Sequence, residues 1–240
     1  MEYIVDDVKL AIIGDIHEHE IQFNKIFDVI TPSEKMILIS VGDIYDKGFG
    51  REVGNRITNK FMQLVDQNIA YVICGNHEFR KIKDQKKHNK HCPYIKWFSK
   101  QPLSLSFTYN SSKNIITIVH GGVTPKTTWF DLQHSLDVLV VRTVDPITKK
   151  YVKSIYKVVD GIPRMIPSQA GSINWHKLYD GRFGYIVSGH DSQKDGIPKF
   201  YDFSCNLDSC CYNTGKLTVQ IFGSHGREQL FFFDGPAKGF

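Results

Sequence analysis

Five short apolar runs in this chain each give way to a glycine set beside a side chain able to bind a metal ion. Lys9–Ile13 leads into Gly14-Asp15-Ile16-His17, Met36–Val41 into Gly42-Asp43-Ile44-Tyr45-Asp46-Lys47-Gly48, and Ala70–Cys74 into Gly75-Asn76-His77-Glu78. Ile115–Val119 leads into His120-Gly121-Gly122, and Tyr185–Val187 into Ser188-Gly189-His190. Mixed stretches of helical character lie between the early runs, at Ile21–Ile30 and Gly50–Asp66. Short buried runs alternating with such stretches are what a sheet covered by helices produces. In these folds the crevice beyond the carboxyl ends of the strands gathers side chains from several strands. Glycine beside each polar residue permits the tight turn and keeps bulk out of the crevice. The pattern predicts an α/β fold with one site at the C-terminal ends of its strands.

The rest of the chain fills in around this frame. Lys199–Cys205, Lys216–Phe222 and Glu228–Phe233 are β-branched or aromatic runs parted by turn residues, and they read as consecutive antiparallel strands. Residues 143–174 are broken by Pro146, Pro163 and Pro167 and carry Lys149, Lys150, Lys153 and Lys157. They read as an inserted loop or cap, with room for short strands at Tyr151–Val159, on a single domain spanning 1–240. With 240 residues, 41% hydrophobic, the chain buries its own core without a staple. No apolar run approaches the roughly 20 residues of a membrane-crossing helix. Glu2, Asp6 and Asp7 stand where a secretory signal would be basic, so a cytoplasmic location with no membrane partner is expected. The odd set Cys74, Cys92, Cys205, Cys210 and Cys211 fits reduced thiols. His88, His91 and Cys92 lack a second ligand pair and read as a basic helix end, not a zinc site. Residues 80–100 hold eight Lys or Arg against the single acid Asp84, in a chain of net charge +5. This is either a solvated helix face or a collar that draws in a phosphate-bearing substrate, nucleic acid included. Tyr94, Trp97 and Phe98 are too few to argue base stacking.

Asp, Asn and His offer oxygen and imidazole donors suited to manganese, iron or zinc. Two such ions about 3.5 to 4 Å apart clamp a phosphate and activate water. In their order, GDIHE, GDIYDKG, GNHE, VHGG and SGH resemble the calcineurin-type metallophosphoesterases, and specifically the phosphoprotein phosphatase branch. That branch includes bacterial and phage Ser/Thr phosphatases and symmetrical diadenosine tetraphosphatases, and KLTVQIF resembles the strand after its last motif. The resemblance implies a central β-sandwich flanked by helices with a dinuclear metal site at one edge. It places Asp15, His17 and the bridging Asp43 on one ion, and Asp43, Asn76, His120 and His190 on the other. His77 matches the family histidine that protonates the leaving oxygen, and Asp46 the carboxylate that orients it. The implied cofactors are two divalent ions, Mn2+ first, with Fe or Zn as alternatives. The implied reaction is attack of a metal-bound hydroxide on phosphorus with no covalent phosphoenzyme. Protein phosphoserine or phosphothreonine, or a generic phosphomonoester, is the first substrate reading. A symmetrical bis(5'-nucleosyl)-tetraphosphate or a nucleic-acid end is the alternative, and a non-catalytic phosphate-binding module is a different class.

The sequence departs from the family at several points. Lys47 replaces an arginine, trading a bidentate fork for a point charge. Lys47, Arg142 and Asn76 are the expected contacts to the substrate phosphate, with Arg142 equally readable as half of a surface salt bridge and Arg80 an outside candidate. Glu18 stands where many relatives have glycine, and it is expected to narrow the mouth or repel an anion. Asp191-Ser192 follows His190 where metallophosphoesterases outside this branch carry a second histidine. His19, His88, His91, His134 and His176 read as solvated or packing residues, and His225 as part of a hairpin turn. Trp129, Trp175 and Tyr179 either wall the pocket or pack in the core or cap.

Overall fold

The structure is a computed structural model that describes residues 1–88, 92–159 and 162–238. His91 of the zinc-like triplet lies outside the described residues. The chain begins β1 (Glu2–Val5), β2 (Lys9–Ile13), α1 (Glu20–Lys25), β3 (Met36–Ser40), α2 (Arg51–Asp66), β4 (Ala70–Val72) and α3 (Asn76–His88). It continues through α4 (Pro93–Phe98), β5 (Ser104–Tyr109), β6 (Ile115–Val119) and α5 (Trp129–His134). Next come β7 (Thr143–Val144), β8 (Tyr151–Val152), β9 (Ser154–Val159), β10 (Ile162–Pro167) and β11 (Ile173–Asn174). The last elements are β12 (Tyr185–Ser188), β13 (Lys199–Phe200), β14 (Ser204–Asn206), α6 (Cys211–Thr214), β15 (Lys216–Gly223) and β16 (Gly226–Asp234).

Two sheets form the body, one in the order β1-β5-β6-β12-β14-β13 and one in the order β16-β15-β2-β3-β4. Side chains alternate across a strand, and the alternation assigns each residue to a layer. Leu10, Ile12, Ile37 and Ile39 point between the sheets and meet Leu105, Phe107, Ile116 and Ile118. Ala11, Ile13 and Leu38 point the other way and pack with Phe23, Phe61 and Phe98 of the helices. β2 and β3 are therefore buried on both faces, which is why they read as unbroken apolar runs. The outer face of the other sheet is covered by a third cluster, where Val119 and Ile186 meet Leu132, Trp175 and Phe183. The result is the β-sandwich flanked by helices that the motifs imply. β2, β3 and β4 run parallel, as do β6 and β12, so the loops carrying the motifs leave the strands at their carboxyl ends.

The C-terminal strands differ from the expectation. Lys199–Cys205 splits into β13 and β14, an antiparallel pair in which β14 also lies parallel to β12. β15 and β16 are the consecutive antiparallel pair expected, but they belong to the other sheet, where β15 also pairs antiparallel with β2. The loop around α6 carries the chain between the sheets, turning through left-handed Cys210 (φ 57°) and Gly215 (φ 70°). β1 and β5, which no motif marks, pair parallel at the edge of the six-stranded sheet. The described residues of 143–174 include the antiparallel pair β9–β10 and the small sheet β11-β7-β8, with strands over Tyr151–Val159 as expected. Among the described residues no helix is long and apolar enough to cross a membrane.

Candidate metal centre

The loops after β2, β3, β6 and β12 are tied to one another by hydrogen bonds from their backbone amides. Ile16 and His17 donate to the Asp43 carbonyl (3.1 and 2.9 Å), Gly189 donates to His120 O (2.9 Å), and the His190 amide donates to the Asp15 carboxylate (3.1 Å). Glycine matters here at two contacts. A Cβ at Gly189 would fall on the Asp15 carboxylate, and one at Gly75 would fall between Asp43 and Glu78.

Two trios of ligand atoms result, each within 4.8 Å: His17, Asp43 and His77, and Asp43, His120 and His190. Asp43 belongs to both. Asn76 Oδ1 lies 2.9 Å from His120 Nε2 and 2.8 Å from His190 Nδ1, which joins it to the second trio. Asp15 Oδ2 lies 3.8 Å from His17 Nε2. All six expected ligands are thus brought together, and all but half-buried Asn76 are buried.

The donor set fits divalent cations. His17 Nδ1 faces Tyr45 O at 3.1 Å and His120 Nδ1 faces Val41 O at 2.8 Å. Donation to those carbonyls leaves Nε2 of each ring with its lone pair toward Asp43, at 3.9 and 3.3 Å. Burial, with Lys47 beside it, pushes His17 down to about 3, and burial with Arg142 holds His190 well below its usual range. Both rings are neutral donors at pH 7. Burial, then the charges of Asp208 and Asp43, drives the Asp15 carboxyl well up. Burial acts the same way on Asp43, but His120, His77 and His17 reverse it and hold that carboxyl well below the usual range. Crowded buried carboxylates with neutral imidazoles are an environment that a cation relieves.

Two glutamates hold the loops, Glu78, to which sequence reasoning gave no role, and Glu18, which it placed at the mouth. Glu78 is fully buried and accepts from four amides: Asp43 N (2.8 Å) and Gly75 N (3.0 Å) on Oε2, Ile44 N (2.9 Å) and Tyr45 N (3.0 Å) on Oε1. The available signal was its place in the first turn of α3, where acids meet free N–H groups. Glu18 does not stand at the mouth. Its side chain is buried and accepts from Asp46 N and Gly50 N, both at 3.0 Å, because these amides supply the solvation that a buried carboxylate needs. Tyr212, also unassigned, meets the His17 ring edge-on at 5.4 Å.

His77, the second residue of α3, donates its amide to Asp43 Oδ1 (3.0 Å) and turns Nδ1 to Asp46 Oδ2 (3.0 Å). The expected His77–Asp46 pair is present. Asp46 also meets Arg80 Nη2 at 2.6 Å and Lys81 Nζ at 2.5 Å, and these partners outweigh its burial and hold its carboxyl well down. Lys47 Nζ is 3.3 Å from His17 Nε2 and 4.6 Å above the Tyr212 ring. Arg142 Nη2 donates to His190 O (2.8 Å), and its Nε lies 3.6 Å from Asp191. Trp175 is a core residue whose ring abuts Gly122, and His19 and His176 are buried packing residues. His225 sits in the turn between β15 and β16.

A family model for calcineurin-like phosphoesterases matches residues 8–194. The chain belongs to that family and is a metal-dependent phosphoesterase. No curated protein sequence matches it. Among solved structures it is similar to a protein provisionally described as a diadenosine tetraphosphatase, at 20% identity and a TM-score of 0.71 over 98% of each chain. It is also similar to a Saccharomyces cerevisiae protein serine/threonine phosphatase resembling human PP5, at 19% identity, TM-score 0.58, over 98% of this chain and 84% of that one. A metallophosphoesterase from Sphaerobacter thermophilus aligns at 12% identity, TM-score 0.52, over 96% and 89%. At these identities the likeness is one of fold.

Proposed function

We propose that this chain hydrolyses phosphate esters with water as the nucleophile, Asp15, His17, Asp43, Asn76, His120 and His190 holding two divalent ions. The observation that carries the reading is the Asp43 carboxylate shared between two ligand trios. Manganese is the proposed metal, and when bound the pair supplies Lewis acidity and lowers the pKa of water. The chain's own residues do the rest. Asn76 and Lys47 hold the phosphoryl oxygens from inside the crevice, and Arg142 holds them from its rim. His77, kept in one orientation by Asp46, delivers a proton from Nε2 to the departing oxygen. Residues 143–174 follow directly on Arg142, and we assign them the role of a cap on a single domain spanning 1–240. The buried, free cysteines among the described residues suit a reducing cytoplasm.

Phosphate release with manganese present, from a phosphothreonine peptide, diadenosine tetraphosphate and a 3'-phosphorylated oligonucleotide, tests the reading. Release from the peptide first is expected. Two bound metal equivalents by elemental analysis, with no release from any of the three, would turn the site into a phosphate-binding module.

A further inference from the structure

We propose that the end of the sandwich opposite the metal centre is a binding site for a planar aromatic carboxylate. A cavity of about 900 Å³ opens there, with Ile115 of β6, Tyr185 of β12, Phe200 of β13 and Arg227 of β16 in its lining. Ile115 and Tyr185 are the first residues of their strands, and His120 and His190 stand just past the other ends. Five residues of extended β6 therefore separate the cavity from the centre by about 17 Å. β13 and β16 are edge strands of the two sheets, so nothing in either sheet closes this end. The register of β15 against β16 also slips between Gln220 and Phe222, both of which line the cavity. A bulge bends its strand, and this one falls where the cavity opens.

The charges around the cavity do not cancel. Glu228 is answered by Lys9 at 2.6 Å and Arg182 by Asp180 at 2.9 Å. Lys113 Nζ meets only the neutral Asn110 Oδ1, at 3.1 Å. The Arg227 guanidinium lies 4.4 Å from the centre of the Phe200 ring and 5.9 Å from that of Tyr185, and it has no hydrogen-bond or ion-pair partner among the described residues. A guanidinium held over a ring keeps its N–H groups in its own plane, where they form a fork that matches one carboxylate. Apolar surface lies beside it, since Phe203 is 49% exposed and Leu230 37%. A Cβ at Gly181 would stand 3.0 Å from the Phe203 ring, and its absence lets that ring settle against the backbone. The volume is that of a small-molecule site, where a few polar groups orient a largely apolar ligand. An acetate would leave the rings uncovered, and an uncharged arene would leave Arg227 without its acceptor. A flat ring bearing a carboxylate meets both.

The test is isothermal titration of the protein, purified with manganese, with 2-naphthoate, 2-naphthylmethanol and acetate. The readout is binding, so it stands apart from phosphate release. One 2-naphthoate per chain is expected, held at least about 10-fold more tightly than 2-naphthylmethanol, with no heat from acetate. Arg227→Gln should weaken 2-naphthoate about 10- to 100-fold and 2-naphthylmethanol less than about threefold, the loss of one charge-assisted contact. Phe203→Ala should weaken both arenes alike. No heat from 2-naphthoate, or equal wild-type affinity for the two arenes, would overturn the site. An affinity for 2-naphthoate unchanged in Arg227→Gln would place that ligand elsewhere, the metal centre included, and would overturn it too. Arg227 is exposed, and its variants are expected to keep the wild-type urea midpoint. Should Arg227→Gln fail to do so, Arg227→Lys decides, a narrower preference for 2-naphthoate supporting the fork and an unchanged preference refuting it.

Discussion

Replacing Glu78 with glutamine tests how the loops of the centre are held. The carboxylate accepts four amides, two on each oxygen. A glutamine of the same shape has one oxygen for two of them and an NH2 group that faces the other two, donor against donor. Flipping the amide exchanges the pairs and leaves the same count. Each buried N–H left unsatisfied costs about 1 to 3 kcal/mol, so Glu78→Gln should lose about 2 to 6 kcal/mol. That is a large part of the roughly 5 to 15 kcal/mol by which a domain is stable. Urea unfolding followed by tryptophan fluorescence reads the change as a lower midpoint at similar slope. A loss below about 1 kcal/mol would mean that the four amides find other partners, and the latch would be refuted. Because Asp43 donates one of these amides, the variant should also bind less metal.

His77→Ala should keep its metal and lose about 100-fold or more on alkyl phosphates, far more than on p-nitrophenyl phosphate, whose leaving group needs no proton. Equal losses on the two, or loss of metal, would move His77 from acid to ligand, as its place in the first trio allows. Asp43→Asn should lose metal by elemental analysis, and an unchanged content would remove Asp43 as the bridge. Burial pushes His176 down to about 3 from 6.5, so between those values the unfolded chain binds a proton that the folded chain refuses. Stability is complete above pH 6.5 and falls below it, by about 2 kcal/mol at pH 5 from this residue alone. Urea midpoints of His176→Phe should fall less with acid than those of wild type, and parallel pH profiles would contradict this.

The parts of the molecule that could be read from sequence are those whose residues answer to one local cause. β2 and β3 are apolar on both faces because both are buried, and α2 follows from the polar stretch after Gly50. Five of the six proposed metal donors announced themselves by lying beside glycines at strand ends, and His17 by lying two residues beyond Asp15. What was hidden depends on partners distant in the chain. Nothing in Lys199–Cys205 says that its second half will lie parallel to β12, since that pairing is fixed by where the loop around α6 crosses between the sheets. Glu18 next to an anion site reads as a repulsive charge until Asp46 N and Gly50 N, about thirty residues on, are seen to solvate it. Arg80 lay inside a charge run that read as a solvated face or a phosphate-drawing collar, and it was only an outside candidate for a phosphate contact. Its meaning came from the 2.6 Å contact with Asp46.

The two glutamates also explain how the centre sustains its backbone. His17 (φ 48°), Glu18 (φ 62°), Asp43 (φ 51°), Asp46 (φ 68°), Lys47 (φ 66°) and His190 (φ 69°) all lie in the left-handed region, which costs a residue with a Cβ about 1 to 2 kcal/mol. Such conformations persist where surrounding contacts over-determine them. Asp43 and Asp46 each donate their amide to a buried carboxylate, Glu78 for one and Glu18 for the other. The bond that compensates the strain therefore also aims the side chain, Asp43 toward both trios and Asp46 toward His77. Side chains launched from an ordinary extended backbone would leave the strand ends alternately up and down. The left-handed turns bring successive polar residues to the same side. That is why this sequence can tolerate glutamate at position 18 in place of glycine: the strain it adds is met by the two amides it binds.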